Sequence, residues 1–245
     1  SVTATNRPTT ITLPRNTKFT SSVNGVSYTF QTRESFFATD DGAGGYQFLD
    51  GTGQSTIPVF EGVEKTKTFF VGEKSDLQIY VIPDITLDST TIRVRVFDTA
   101  GGTVFNEFSN IKDAVQITDT TRYYQIKEVP NGYYELIFGD GVTTGIAPVA
   151  GNKIVVDYLS VTGPDANEAS TFTPSSQINV NGVNYTLSVI TSSSSAGGAF
   201  KESLESIRQN APIAFASQRR LVTAEDYKAQ INANYGTYLD DVISY

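Results

Sequence analysis

The sequence contains no cysteine, histidine, tryptophan or methionine. Without cysteine there is no disulfide framework, which accords with an intracellular origin. Without histidine or cysteine the chain cannot build the common zinc sites, nor the Ser–His and Cys–His pairs of nucleophilic catalysis. What stays open for chemistry is carboxylate pairs, lysine, tyrosine or an oxygen-ligated metal. No apolar run approaches the roughly eighteen residues that a membrane-spanning helix needs. Positive charge is also scarce. The 18 Lys and Arg residues stand against 26 Asp and Glu, a net charge of −8. That is the wrong field for a nonspecific nucleic-acid binder or for docking on anionic lipid. The first residues, Ser1-Val2-Thr3-Ala4-Thr5-Asn6-Arg7, are neither a signal peptide nor a starting methionine, and the chain reads as a piece of a longer protein.

What is present is β-strand texture. The 245 residues, 39% of them apolar, suffice for one large or two ordinary domains. Ile11-Thr12-Leu13 alternates and Pro14 closes it. Val23-Asn24-Gly25-Val26 carries the strongest short hairpin signal, because both central residues of a type I′ turn need positive φ. Strand is then expected from Gln31 to Thr39, from Gln54 to Val63, from Lys67 to Val71 and from Leu77 to Ile82, with a flexible loop at Asp40 to Gly45. Between Asp88 and Phe97, Ile92, Val94 and Val96 face one way and Arg93 and Arg95 the other, the period of a half-buried strand. Val104 to Phe108 and Val115 to Thr118 are weaker candidates. Arg122 to Val129 runs to the turn Pro130-Asn131-Gly132.

The centre of the pattern is Tyr134-Glu135-Leu136-Ile137-Phe138, then Gly139-Asp140-Gly141, then a second strand, Ile154 to Tyr158. The sequence predicts that Gly139 and Gly141 serve backbone geometry and that Asp140 hydrogen-bonds its own turn, a tight β connection. Ile178 to Leu187 holds another Asn-Gly hairpin. Its Val180-Asn181-Gly182-Val183-Asn184-Tyr185 echoes Val23 to Tyr28, either by duplication or by convergence on good turn chemistry. Ser192 to Gly198 is linker-like. From there the period becomes helical. Phe200, Leu204, Ile207 and Ala211 share a face, and Pro212 stops the helix. Thr223-Ala224-Glu225-Asp226 is a broad capping box, with Val222 able to staple onto Tyr227. Tyr227, Ile231 and Tyr235 continue that face to Gly236.

Asp140 with Asp157, or Asp40 with Asp41, could ligate calcium or form a hydrolase pair, but turn chemistry accounts for most of these acids. Gly139-Asp140-Gly141 is not a phosphate loop, since no helix follows it. No catalytic, cofactor or metal residue is assigned, and no enzyme activity or cofactor is expected.

Two blocks add to this. One is Phe138-Gly139-Asp140-Gly141, Pro148, Gly151, Ile154, Tyr158 and Thr162-Gly163. The other is Gly197-Gly198, Glu202-Ser203, Glu205, Ile207-Arg208, Ala211-Pro212, Arg220-Leu221-Val222-Thr223 and Asp226-Tyr227. In this order they resemble the J-like baseplate wedge proteins of contractile-tailed bacteriophages, which also occur in related injection machines. Leu13 to Phe19 and Asp88 to Ile92 look like earlier blocks of that family, and the long β region is similar to the T-even-type inner-ring wedge subunit. One departure is Pro164-Asp165-Ala166-Asn167 and an inserted hairpin, where the family has a close Gly-Asn pair.

The resemblance implies a structural subunit of the virion tail baseplate, assembled in the host cytoplasm. It would pair as a homodimer, join other wedge proteins and close into a ring around the tail hub. No nucleic-acid or membrane partner is expected. The fold class expected is mainly β with a smaller α or α+β part: antiparallel sandwich or barrel-like modules followed by a helical C-terminal region. The divisions are residues 1–165, in two modules of about 1–65 and 66–165, an inserted hairpin and linker at 166–195, and a helical region at 196–245 that is incomplete at its C-terminal end. The interface candidates are Phe200, Leu204, Ile207, Tyr227 and Ile231 as apolar anchors, with Arg208 and Arg220 as polar partners. An apolar helix face can equally pack within its own chain. The alternatives are a carbohydrate-binding tail or secreted β protein, with or without a carboxylate hydrolase, and a surface-layer or adhesin module. The adhesin reading calls for clustered calcium motifs, and the sequence has none.

Overall fold

A computed structural model of the chain describes residues 7–49, 52–73, 78–203, 205–209 and 211. The chain divides into two compact units. One comprises Ser1–Thr162 with Glu168–Ser195, the other Gly163–Asn167 with Ala196–Tyr245.

The first unit is built from β-strands, and its pairing begins where the Asn-Gly signal lies. Strands β1 (Thr10–Leu13), β2 (Lys18–Val23), β3 (Val26–Gln31) and β4 (Phe36–Thr39) come first. Asn24 and Gly25 turn β2 into β3 at φ of 51° and 81°, the left-handed values that a two-residue hairpin needs. Gln31 to Thr39 is not one strand. The Thr32 N–H still bonds its in-register partner Thr17, but the ladder ends there because the Thr17 N–H turns to the Thr32 hydroxyl, which itself donates to the Pro14 carbonyl, and the Thr32 carbonyl accepts from Asn16. Pro14 also receives the Thr17 hydroxyl at 2.6 Å, so the 14–17 corner and the break at Thr32 form one knot.

β5 (Phe60–Glu61) and β6 (Val63–Phe70) follow. Of the strand expected from Gln54 to Val63, only Phe60–Glu61 forms ahead of β6, consistent with the end signalled by Pro58. β5 closes a four-stranded sheet whose order is β13-β2-β3-β5, with β13 (Thr173–Pro174) on its far edge. β1 pairs with β4, and β14 (Ile178–Val180) pairs with β15 (Val183–Tyr185). Asn181 and Gly182 repeat the first hairpin, at 50° and 81°. A buried cluster of Ile11, Leu13, Phe36 and Ile178 joins the two ladders.

The larger sheet has seven strands in the order β6-β12-β8-β9-β10-β11-β7. Its new members are β7 (Tyr80–Ile82), β8 (Arg93–Phe97), β9 (Phe105–Asn110), β10 (Tyr123–Val129), β11 (Tyr133–Phe138) and β12 (Lys153–Ser160). All neighbours are antiparallel except β9 and β10, which touch in parallel at Tyr123↔Ser109 and Tyr124↔Asn110. Val94, Ile154 and Val156 are fully enclosed, as the alternation of β8 predicts. Leu136, Ile82, Tyr80, Phe108 and Tyr124 belong to the same core. The sheet curls until its end strands meet. The Phe69 and Tyr80 rings stand edge to face at 5.5 Å, and the Gln78 amide donates to the Phe70 carbonyl while accepting from the Gly72 N–H. Val115 to Thr118 is not a strand, and Val115 is fully exposed.

The stretch from β11 to β12 is not a connection between neighbouring strands. β8, β9 and β10 lie between them in the sheet. The Asp140 turn is tight locally, and the chain then crosses over, bonding to Thr121 at Ile146 and to Val71 at Gly151.

In the second unit, α-helix among the described residues is confined to 205–209 and 211, beside one 3-10 turn at Gly163–Ala166. Phe200 lies ahead of the α-helix in irregular chain, because the Ser203 hydroxyl accepts the Ser206 N–H and starts the helix there. The described residues therefore show a mainly β protein with little helix. The expected helical region beyond Ala211, with its capping box at Thr223, lies outside them.

Candidate functional site

The outward face of β6, β12, β8 and β9 carries an array of charges and aromatic rings. Its origin is the alternation in β8. With Val94 and Val96 turned inward, Arg93, Arg95 and Phe97 must face out. Register then fixes their neighbours. Phe97 lies opposite Lys153 of β12 and Phe105 of β9, and Lys153 lies opposite Phe70 of β6. The next row sets Arg95 opposite Glu107, and the row beyond sets Arg93 opposite Asp157 and Asp157 opposite Thr66.

These groups are already engaged. Asp157, only 6% exposed, accepts the Thr66 hydroxyl at 2.7 Å and an Arg95 amino group at 2.5 Å. The Arg95 guanidinium lies 5.5 Å from the centre of the Phe105 ring and 5.8 Å from that of Phe97. The Lys153 ammonium lies 4.3 Å over Phe97. Such contacts hold a cation against a ring electrostatically. Arg93 bonds Glu107, which lowers the glutamate's pKa and raises that of the arginine. On this face both carboxylates are paired with arginines and the Lys153 ammonium lies over a ring, so its acids and cations hold one another in place. In the sequence, Arg93 and Arg95 were legible as outward residues. Phe70, Phe105 and Lys153 were not, because only strand pairing brings them into one row.

The carboxylates considered for chemistry are likewise occupied. One Asp140 oxygen accepts the N–H groups of Val142, Thr143 and Thr144, and the other accepts the Thr143 hydroxyl. The Thr143 hydroxyl and these backbone donors hold the carboxyl far below its ordinary range. Gly139 leaves no room for a side chain, since a Cβ would fall 2.3 Å from the Thr144 carbonyl oxygen. Gly141 takes φ of 71°. Asp40 and Asp41 bond the N–H groups of their own loop at Gly42, Ala43, Gly44 and Gly45. Asp157 is held on β12 by Arg95, so it forms no pair with Asp140. Among the described residues no group of three or more acids is placed to hold a metal ion.

Asp84 is the most instructive carboxylate. Burial pushes its pKa up, but donation from Lys65 at 2.7 Å and from the Thr86 hydroxyl and N–H outweighs this and holds it at about 2. The Tyr158 hydroxyl donates to the same carboxylate, and burial first, then that negative charge, pushes Tyr158 up to about 12.

The interface candidates divide. Phe200 is 75% exposed and Ile207 is 41% exposed. Ile207 and Arg208 stand on the short helix, where Arg208 pairs loosely with Glu205 at 3.9 Å. Leu204, Arg220, Tyr227 and Ile231 lie outside the described residues. A residue missed in the sequence stands at the start of this unit. The Asn167 side chain clasps the Gly198 backbone, donating to its carbonyl at 2.8 Å and accepting its N–H at 2.9 Å. A Cβ on Gly198 would lie 2.4 Å from the Gly163 carbonyl oxygen, so glycine is required there. Within the first unit, the intervening loop closes separately through Glu168, Ala169 and Ser195.

No family model matches the chain. Its sequence is 26% identical over 256 aligned positions to a phage protein, and the alignment covers 95% of this chain and 36% of the relative. The chain therefore spans about a third of the length of the curated relative it matches. That relative, to which the chain is distantly similar along nearly its whole extent, is baseplate wedge protein gp6 of Enterobacteria phage T4.

Proposed function

We propose that this chain is a structural, non-enzymatic part of a phage tail baseplate wedge. It associates with a second copy of itself and joins other wedge proteins into the ring around the tail hub. Its place is the virion tail, after assembly in the host cytoplasm. The observation that carries the reading is the similarity to a baseplate wedge protein along 95% of the chain. The engaged carboxylates support it, because a protein that acts through its surfaces uses acids to hold loops and ladders. The working division is β modules at about 1–65 and 66–165, a hairpin and linker at about 166–195, and a joining region at about 196–245. In that last region Phe200, Leu204, Ile207, Tyr227 and Ile231 supply apolar contacts, and Arg208 and Arg220 polar ones.

The test is an Ile207→Asp variant. Loss of self-association with an unchanged melting temperature supports an interface at this helix. Unfolding of the isolated variant chain places Ile207 in its own core and removes it from the interface. Binding to bacterial glycans on an array, with no binding to tail proteins, would favour the carbohydrate-binding reading.

A further inference from the structure

We propose that the outward face of β6, β12, β8 and β9 docks on the same face of a second copy, about a two-fold axis that runs parallel to the strands between β12 and β8. The proposal rests on the reading that the chain self-associates, and it names a surface for that contact other than the joining region. The face is open. Phe70 is 60% exposed and Phe105 is 40% exposed at the two ends of one row, although Val94, Ile154 and Val156 behind them are fully enclosed. Thr66, Thr68 and Glu107 are exposed as well.

Strand register selects the occupant. From β6 to β9 the first row is Phe70, Lys153, Phe97 and Phe105, and the second is Thr68, Val155, Arg95 and Glu107. The third begins Thr66, Asp157, Arg93. A two-fold axis along the strands reverses this order in the other copy. Placed on β12, the axis sets Lys153 on Lys153 and Asp157 on Asp157. Placed on β8, it sets Arg93 on Arg93 and Arg95 on Arg95. Placed between them, it sets Phe70 of one copy on Phe105 of the other, Lys153 on Phe97, Thr68 on Glu107 and Asp157 on Arg93. No like charges then meet. Among the described residues Lys153 pairs with no carboxylate, and its ammonium lies over its own Phe97, so a second ring can close on it from the opposite side. A partner of one charge sign finds no such match, because cations and carboxylates are interspersed across the face. Four strands about 4.8 Å apart over three rows offer roughly 400 Å². A stable contact takes about 800 Å² from each partner. The contact is therefore weak alone and gains strength where a second contact in an assembly holds the copies together.

The chain has no cysteine, so single introduced thiols report this arrangement directly. Whole-chain Phe70→Cys and Phe105→Cys variants are mixed at high concentration and treated with a short bifunctional thiol reagent. On the proposed axis these two positions meet, whereas the two copies of either position lie three strand spacings apart, about 14 Å. The mixture should give about tenfold more linked dimer than either variant alone. In the cysteine-free chain, Thr68→Lys places a cation opposite Glu107 of the other copy and Thr68→Glu a second acid. Sedimentation equilibrium should show the first tightening and the second weakening the dimer, by about two- to tenfold in Kd. If a cysteine variant does not fold, the Thr68 pair answers the same question. Equal linkage in the mixture and in the single variants, or a Kd unmoved by either Thr68 change, overturns the proposal. Where the wild-type chain still dimerises in that case, the surface is wrong and self-association stands. A wild-type chain that stays monomeric at the highest concentration removes both.

Discussion

Replacing Asp157 with alanine tests whether the outward face of the large sheet is held by its charges. The carboxylate is 6% exposed and accepts from Thr66 and Arg95. Hydrogen bonds to a charged acceptor are worth about 1.5–3 kcal/mol each. Arg95 keeps 24% of its side-chain exposure, so the orphaned guanidinium regains some water and the full penalty of a buried lone charge does not apply. The net cost is therefore about 3 kcal/mol. For a chain of this length that lowers the melting temperature by about 6–12 °C. The assay is urea unfolding of the wild type, Asp157→Ala, Arg95→Ala and the double variant. The cycle removes the packing that Arg95 makes with Phe97 and Phe105 and isolates the pair. A coupling energy of about 1.5–3 kcal/mol is expected. A coupling below about 0.5 kcal/mol, the level of an exposed pair, would refute the reasoning.

Other outcomes follow from the same structure. Asp84 has a folded pKa of about 2 against an ordinary 3.8, so its contribution is present above pH 4 and is lost as pH falls toward 2. Half-exposed Lys65 limits that contribution to about 1–2 kcal/mol, and the stability gap between wild type and Asp84→Asn should close at pH 2 in urea titrations. Burial pushes Tyr124 and Tyr158 up to about 12 from 10, so the stability they add is intact below pH 10 and disappears as pH rises to 12. Melts at pH 9 and 11.5 should show a smaller alkaline loss in the Tyr124→Phe, Tyr158→Phe double variant. Gly139→Ala forces a Cβ onto backbone atoms of Thr144 and Gly145, whereas Gly25→Ala meets open space at φ of 81°. Chemical denaturation should show a loss of about 3 kcal/mol or more for the first and about 1–2 kcal/mol for the second.

The parts of the fold legible in the sequence were those decided within a few residues. Asn24-Gly25 and Asn181-Gly182 announce hairpins because few other residues accept both turn conformations. Ile92, Val94 and Val96 announce a buried face because side chains alternate along a strand. The crossover from β11 to β12 was not legible, because nothing local in Gly139-Asp140-Gly141 records that three strands separate the two ends. The row of Phe70, Lys153, Phe97 and Phe105 draws on four strands and exists only through their register. The Asn167–Gly198 clasp joins residues 31 positions apart, and a lone Asn after Pro-Asp-Ala carries no sign of it. The break after Gln31 and the late start of the helix at Ser203 have a common cause. A hydroxyl took a backbone partner that periodicity alone would have assigned to the regular element.

In the proposed role the chain assembles with a second copy of itself and with baseplate wedge proteins. Sedimentation velocity of the chain alone, then mixed with candidate baseplate proteins, tests it most directly. A reversible dimer and a faster-sedimenting complex with at least one wedge protein are expected. A strict monomer that binds none of them would contradict it.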